Sequence, residues 1–429
     1  MRAANIHIIG AGLAGLSAAV ELSANSGARI FVHESAKVAG GRCRSYFDQQ
    51  MGMEIDNGNH LLLSGNAHTL NYVRRIGAED RLTQAPQARF PFIDLRDGRR
   101  WTIAPSQGPL PLWLLSRARR APGTNLRDHM NMLKLIWASG DAPIEERIDC
   151  HGPLYENMTR PFLLAALNTD PAKASSALAR QVMRETLAKG AGSCRPIIAS
   201  EGLSHAFIEP ALAYLGRRNV SVAFGARLRA MSCHDGRATA LHFEDHEIEL
   251  RQGDMVISAV PPNMATALVP GLCTPDAFNA IVNAHFAMAP PTGMPLMTGI
   301  VGATSEWLFA YRDRLSVTIS AANHLLERTL ADLAQEIWRE VALVAGINAP
   351  LPPWRILREK RATFAATPDQ NRRRPGVRTA YANLLLAGDW TATGLPATIE
   401  GTIRSGATAA AEARKQLQQR MAPTNANHG

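Results

Sequence analysis

Short apolar runs separated by glycine turns open the chain. Asn5–Ile9 reads as a buried strand, Gly10-Ala-Gly12-Leu-Ala14-Gly15 as a tight turn, and the apolar-rich run Leu16–Leu22 as a helix. A turn at Asn25-Ser-Gly27 leads into a second strand, Arg29–His33, which carries on to Glu34. Together these make a complete βαβ unit of about 30 residues. Farther along, 203–216 reads as a helix, and 219–224, 228–232, 238–244 and 246–250 read as strands. Met255–Val260 reads as a buried strand ended by Pro261-Pro262.

The region 85–195 reads as mainly helical, with a proline-broken apolar stretch at 109–115. Residues 280–320 mix short strands with proline and glycine turns. An amphipathic helix over 325–345 is predicted from Leu326, Leu330, Leu333, Ile337 and Val341. Asn383–Ala387 reads as another buried strand, 397–419 as an alanine-rich helix and 421–429 as a disordered tail. The expected organisation is a mixed α/β chain in which a dinucleotide-binding unit is interrupted by a second domain. Its parts are 1–84, 197–265 and 372–420. They alternate with a mainly helical substrate or membrane region, 85–196, and a sheet and helix, 266–371.

Composition narrows the classes. With 429 residues, 46% hydrophobic and 19% charged, the chain can build sizeable cores and is not intrinsically disordered. Its net charge of +9 is spread out, apart from Arg117–Arg120 and Arg372–Arg374, so nucleic acid is not an expected partner. Five cysteines at 43, 150, 194, 233 and 273 form no CxxC, which argues against a disulfide framework and for a reducing compartment. His242 and His246 are read on one exposed strand face, without the spacing of a metal site, and no metal is expected. No apolar run reaches the length of a membrane span, and the N-terminus leads directly into a folded unit rather than a signal peptide.

The glycine turn carries the first chemistry. Gly10 permits the turn, Gly12 lets a pyrophosphate approach the backbone, and Gly15 lets helix pack on strand, with Ala14 beside them. The helix N-terminus presents free N–H groups and a positive dipole end to phosphate. Glu34, 19 residues past Gly15, can accept from both ribose hydroxyls. Gly40-Gly41-Arg42 then offers backbone amides and a guanidinium to the same phosphates. A second fingerprint is lacking: Gly190-Ala-Gly192 has no third glycine and no preceding strand, so no built-in nicotinamide domain is expected.

Gly40-Gly-Arg42 resembles the flavin-binding signature of the amine oxidase and phytoene desaturase superfamily. The strand running into Gly388-Asp389 resembles its second flavin motif, and Pro396-Ala397-Thr398 opens the helix that follows. The resemblance implies FAD, an Asp389 near the ribityl or pyrophosphate, and a helix N-terminus at the flavin pyrimidine. Four segments are similar to one branch, the hydroxysqualene dehydroxylases. They are 40–45, 55–66 (Ile-Asp-Asn-Gly58-Asn-His60 and onward), 361–368 and 383–401. This implies reductive removal of the hydroxyl of hydroxysqualene by reduced FAD, giving squalene and water, within hopanoid or related C30 terpenoid synthesis.

Such chemistry needs a flavin face, a donor beside the hydroxyl and a long apolar channel. His60 is the candidate donor and Asp56 a second candidate, more fitted to positioning flavin. Trp307, Phe309 and Tyr311 are assigned to core packing rather than to one shared pocket wall. Two other classes stay open: an oxidative carotenoid desaturase or amine oxidase, and a non-catalytic isoprenoid carrier. The expected partners are a C30 isoprenoid, a separate electron donor and other squalene-pathway enzymes. The expected location is the cytoplasm, with peripheral contact at the inner face of its membrane. Pro109–Arg120, with Trp113 and its leucines beside arginines, is the candidate membrane patch.

Overall fold

The computed structural model describes residues 4–25 and 27–421. Apart from Met421, the expected disordered tail lies outside the described residues.

Two sheets organise the chain. The first has five parallel strands in the order Ser221–Phe224, Arg29–Glu34, Asn5–Ile9, Met255–Ser258 and Leu384–Leu386. Three stretches remote in sequence thus build one sheet. Its strands read as continuous apolar runs because helices Leu13–Asn25 and Ile399–Met421 cover it. These two helices cross closely: a Cβ on Gly406 would stand 2.3 Å from the Ala14 carbonyl oxygen.

The second sheet has seven strands, ordered Trp354–Phe364, Phe278–Phe286, Leu315–Ile319, Trp307–Ala310, Met297–Val301, Phe90–Asp94 and Arg100–Ile103. Its last two strands come from the stretch read as mainly helical. Phe90-Pro-Phe-Ile-Asp pairs with Met297–Val301 in parallel and with Arg100–Ile103 in a hairpin, and helices begin only beyond them. One face packs on helix Leu330–Ala345, through Leu308, Val317 and Trp338. The other faces the helices of residues 126–185, through Phe92, Phe309, Met132 and Leu163.

Two expectations change here. Trp307, Phe309 and Tyr311 do share a face, since side chains two apart on a strand point the same way. Leu308 and Ala310 occupy the opposite one. His242 and His246 do not lie on one strand. They flank a turn between Arg237–Phe243 and Glu247–Glu249, where His242 meets Ser232 and Glu247 and His246 stacks on Phe243. Among the described residues no group of His, Cys, Asp or Glu is placed to hold a metal ion, and all five cysteines are free thiols.

Candidate active site

The glycine turn lies where strand Asn5–Ile9 meets helix Leu13–Asn25. Gly10 has φ of +106°, a conformation open to glycine, and a Cβ there would stand 2.8 Å from the Ala259 carbonyl oxygen. A Cβ on Gly15 would stand 1.9 Å from the Gly10 carbonyl oxygen. Gly12 differs from both, since a Cβ there would meet nothing within 4 Å. The space over Gly12 is therefore a cradle rather than a packing contact. Gly40 closes one side of it, with its N–H donating to the Ala11 carbonyl at 2.8 Å. Gly41, at φ +59°, brings its own missing Cβ to within 3.6 Å of the Gly12 Cα.

Glu34 closes another side. Its carboxylate accepts from the Ala11 N–H at 2.7 Å and the Ala36 N–H at 2.8 Å, so its position is fixed from the backbone. Its remaining lone pairs are free to take ribose hydroxyls. This set of residues fits a dinucleotide whose pyrophosphate lies over Gly12.

Arg42 does more than the sequence implies. Its guanidinium donates to both oxygens of Asp389 at 2.7 Å and to the Ala362 carbonyl. The Asp389 carboxylate raises the Arg42 pKa further. The pair ties the Gly40–Arg42 turn to the Gly388-Asp389 turn, across 347 positions of sequence. Gly388, at φ +151°, donates its N–H to Ser405 Oγ, and a Cβ there would collide with the Trp390 indole.

Arg374 was not singled out from the sequence, yet it holds this loop from beneath. It is buried and stacks over Phe364. It donates to the carbonyls of Asp389 and Thr391 and to Thr393 Oγ1 at 2.5–3.2 Å. Burial lowers its pKa to about 10, which still leaves it charged at neutral pH. One arginine at the end of a basic run gives no sign of this at sequence level.

Pro396, Ala397 and Thr398 lead into helix Ile399–Met421, and Thr398 Oγ1 accepts from the Gly401 N–H at 3.0 Å as an N-cap. Glu400, in the first turn, is turned elsewhere. Its carboxylate accepts from the backbone N–H groups of His68 and Thr69 and from the Thr69 hydroxyl, capping helix Ala67–Ile76.

The 56–60 segment runs between the two sheets. Asp56 is 1% exposed, and its oxygens accept from Ser45 Oγ, the Leu203 N–H and Arg314. Burial raises its pKa, against the pull of those donors. Both oxygens of the carboxylate are thus met by donors. Gly58 lies against Asn283, 3.2 Å from where its Cβ would be. Asn59 donates to Thr318 and accepts from the Tyr311 hydroxyl.

His60 stands apart within this segment. It is half-buried, and its imidazole has no hydrogen-bond partner among the described residues. Burial, with the nearby Arg42 charge, lowers its pKa to about 4. At neutral pH it is a neutral ring with one N–H donor and one acceptor open to a ligand. Trp113, expected at a membrane, is instead buried edge-on against His129.

The family profile described as "Flavin containing amine oxidoreductase" matches residues 13–414. The chain is thus a flavin-dependent oxidoreductase of that family. The solved structure of cyclohexylamine oxidase from Brevibacterium oxydans shares the fold. It superposes at a TM-score of 0.70 with 15% identity, over 97% of this chain and 100% of that one. Within the family, the hydroxysqualene dehydroxylase of Rhodopseudomonas palustris is 52% identical over 94% of this chain and 97% of its own. That of Sinorhizobium fredii is 49% identical over 95% and 97%. The chain belongs to the hydroxysqualene dehydroxylase family.

Proposed function

We propose that the chain binds FAD and uses its reduced form to replace the hydroxyl of hydroxysqualene by hydrogen, releasing squalene and water. The observation that carries this reading is likeness running from end to end of the dehydroxylases, at 52% and 49% identity. In this reading the reaction belongs to hopanoid or related C30 terpenoid synthesis. In this reading the cradle over Gly10, Gly12, Ala14 and Gly15 takes the pyrophosphate and Glu34 the ribose. Gly40, Gly41 and Arg42 complete the phosphate contacts. Gly58, Gly388, Asp389 and the helix end at Pro396, Ala397 and Thr398 face the rest of the cofactor.

Reduced flavin supplies a hydride equivalent when bound, and a separate donor must re-reduce it. The balance is simple: a C–O bond breaks, the hydride forms the new C–H bond, and the departing hydroxide takes up one proton from solvent to leave as water. The protein must help the hydroxyl to leave. His60 can do this as a neutral imidazole, its N–H hydrogen-bonding the departing oxygen. The buried Asp56–Arg314 pair fixes the backbone that carries His60.

The test is anaerobic. Chemically reduced enzyme mixed with hydroxysqualene should show stoichiometric flavin reoxidation and squalene formation. Bleaching of oxidised enzyme by phytoene or an amine, with no response of reduced enzyme to hydroxysqualene, would replace the reading with an oxidative one. Absence of bound FAD in protein purified from flavin-replete cells would favour a carrier. Peripheral membrane contact belongs to the same reading.

A further inference from the structure

We propose that the outer face of helix Leu126–Trp137, with the neighbouring turn at 110–115, docks on an anionic lipid bilayer. The helix has two apolar faces. His129, Met132 and Leu135 point inward and are buried. At about 100° per residue, Leu126, Met130, Leu133 and Trp137 fall on a second arc about 60° wide. Met130 and Trp137 on that arc are 58% and 69% exposed.

The turn against this helix repeats the pattern. Trp113 and Leu114 are buried, whereas Leu110, Leu112 and Leu115 are 59–69% exposed. Six of the twelve exposed large apolar side chains among the described residues therefore fall between positions 110 and 137. Scattered exposed leucines need no account, but a concentration in two adjoining elements marks an interaction surface.

Charge identifies the occupant. Arg127 and Lys134 lie together along one edge of the apolar arc, and Arg117 and Arg119 are exposed on the turn beside it. Between 108 and 138 the one carboxylate, Asp128, is spent on capping this helix through the Asn125 N–H. An apolar strip with cations along its edge and on the adjoining turn suits an anionic headgroup layer with acyl chains beneath it. A bilayer as the occupant also rests on the proposed substrate, because a C30 alcohol partitions into membranes. No helix among the described residues is long and apolar enough to cross one, so the contact is peripheral.

Co-flotation of the flavin-loaded protein with vesicles tests this without any turnover, so its outcome is separate from that of the proposed reaction. The protein should float with phosphatidylcholine vesicles containing phosphatidylglycerol. It should bind about tenfold less with phosphatidylcholine alone or in 1 M salt. Met130→Ser with Trp137→Ser should abolish flotation while leaving circular dichroism and flavin content intact. Arg117→Gln with Arg119→Gln and Lys134→Gln should remove the preference for anionic lipid. No flotation of the wild type would overturn the proposal, as would flotation untouched by these variants. So would a dimer in solution that Met130→Ser with Trp137→Ser dissociates, since a second copy would then cover the strip.

Discussion

The Arg314 guanidinium stands 3.2 Å from the Asp56 carboxylate, with both side chains almost wholly withdrawn from solvent. Arg314 enters from the seven-stranded sheet and Asp56 from the strand Met53–Asp56 that precedes the His60 segment. Tyr311 lies under the guanidinium, 4.1 Å from its carbon to the ring centroid. The pair therefore joins the part of the chain that carries the cradle to the part that carries the apolar face.

Removing one partner leaves the other charged and buried. Arg314→Met should cost about 3–5 kcal/mol of unfolding free energy in urea. The double variant Arg314→Met with Asp56→Leu should cost clearly less than the sum of the two singles. Additive losses would show that the pair is not coupled.

The glycines of the first turn should separate by phenotype. Gly15→Ala drives a methyl into the Gly10 carbonyl and should cost about 3 kcal/mol or more of stability. Gly12→Ala has room in the protein and should fold normally. It should retain flavin at least about tenfold more weakly, because its methyl occupies the cradle. Thermal melting and flavin absorbance, read together, check both.

Arg374→Met keeps the stem over Phe364 and removes the Nη2 group that donates to the 389–393 loop. The expected loss is about 2–3 kcal/mol, together with weaker flavin retention. Lysine should not restore either, since one ammonium cannot reproduce the planar fork. Equilibrium dialysis of flavin against wild type and both variants is the measurement.

His60→Ala should slow flavin reoxidation by hydroxysqualene about a hundredfold while the protein stays yellow. His60→Gln keeps a neutral N–H donor and should recover part of the rate. An imidazolium acid would instead leave glutamine as poor as alanine.

Acid should destabilise the fold through buried histidines. Burial lowers the pKa of His33, paired with His7 at 3.2 Å, to about 4 and that of His285 to about 3. In the unfolded chain both titrate near 6.5. Between pH 6.5 and 4 the unfolded state binds more protons, so stability present above pH 6.5 falls as pH falls. The slope reaches about 1.4 kcal/mol per pH unit for each histidine. A urea-midpoint series from pH 8 to 4 reads it directly, and a flat series would refute it.

The first βαβ unit is legible in sequence because all of its determinants are local: period, glycine spacing and the acid at the strand end. The Phe90–Ile103 hairpin is not, because Phe-Pro-Phe-Ile-Asp shows no clean alternation and its partner strand begins near residue 297. The site divides the same way. Gly10, Gly12, Gly40 and Glu34 announce themselves by spacing. Arg374, Arg314 and Glu400 acquire their roles only from partners that folding brings in, and a charged residue alone in sequence reads as surface. Trp113 was drawn to the surface by its arginine neighbours, whereas the exposed strip is set by which side of the following helix faces the core.

Glu400 also bears on when the protein becomes competent during synthesis. Helix Ala67–Ile76 receives its N-terminal cap from a side chain made more than 320 residues later, and the parallel sheet gains its Leu384–Leu386 strand equally late. A nascent chain paused before residue 384 lacks that strand, that cap and the Asp389 partner of Arg42. If flavin retention needs these late elements, a ribosome-bound fragment ending before residue 384 should emerge colourless.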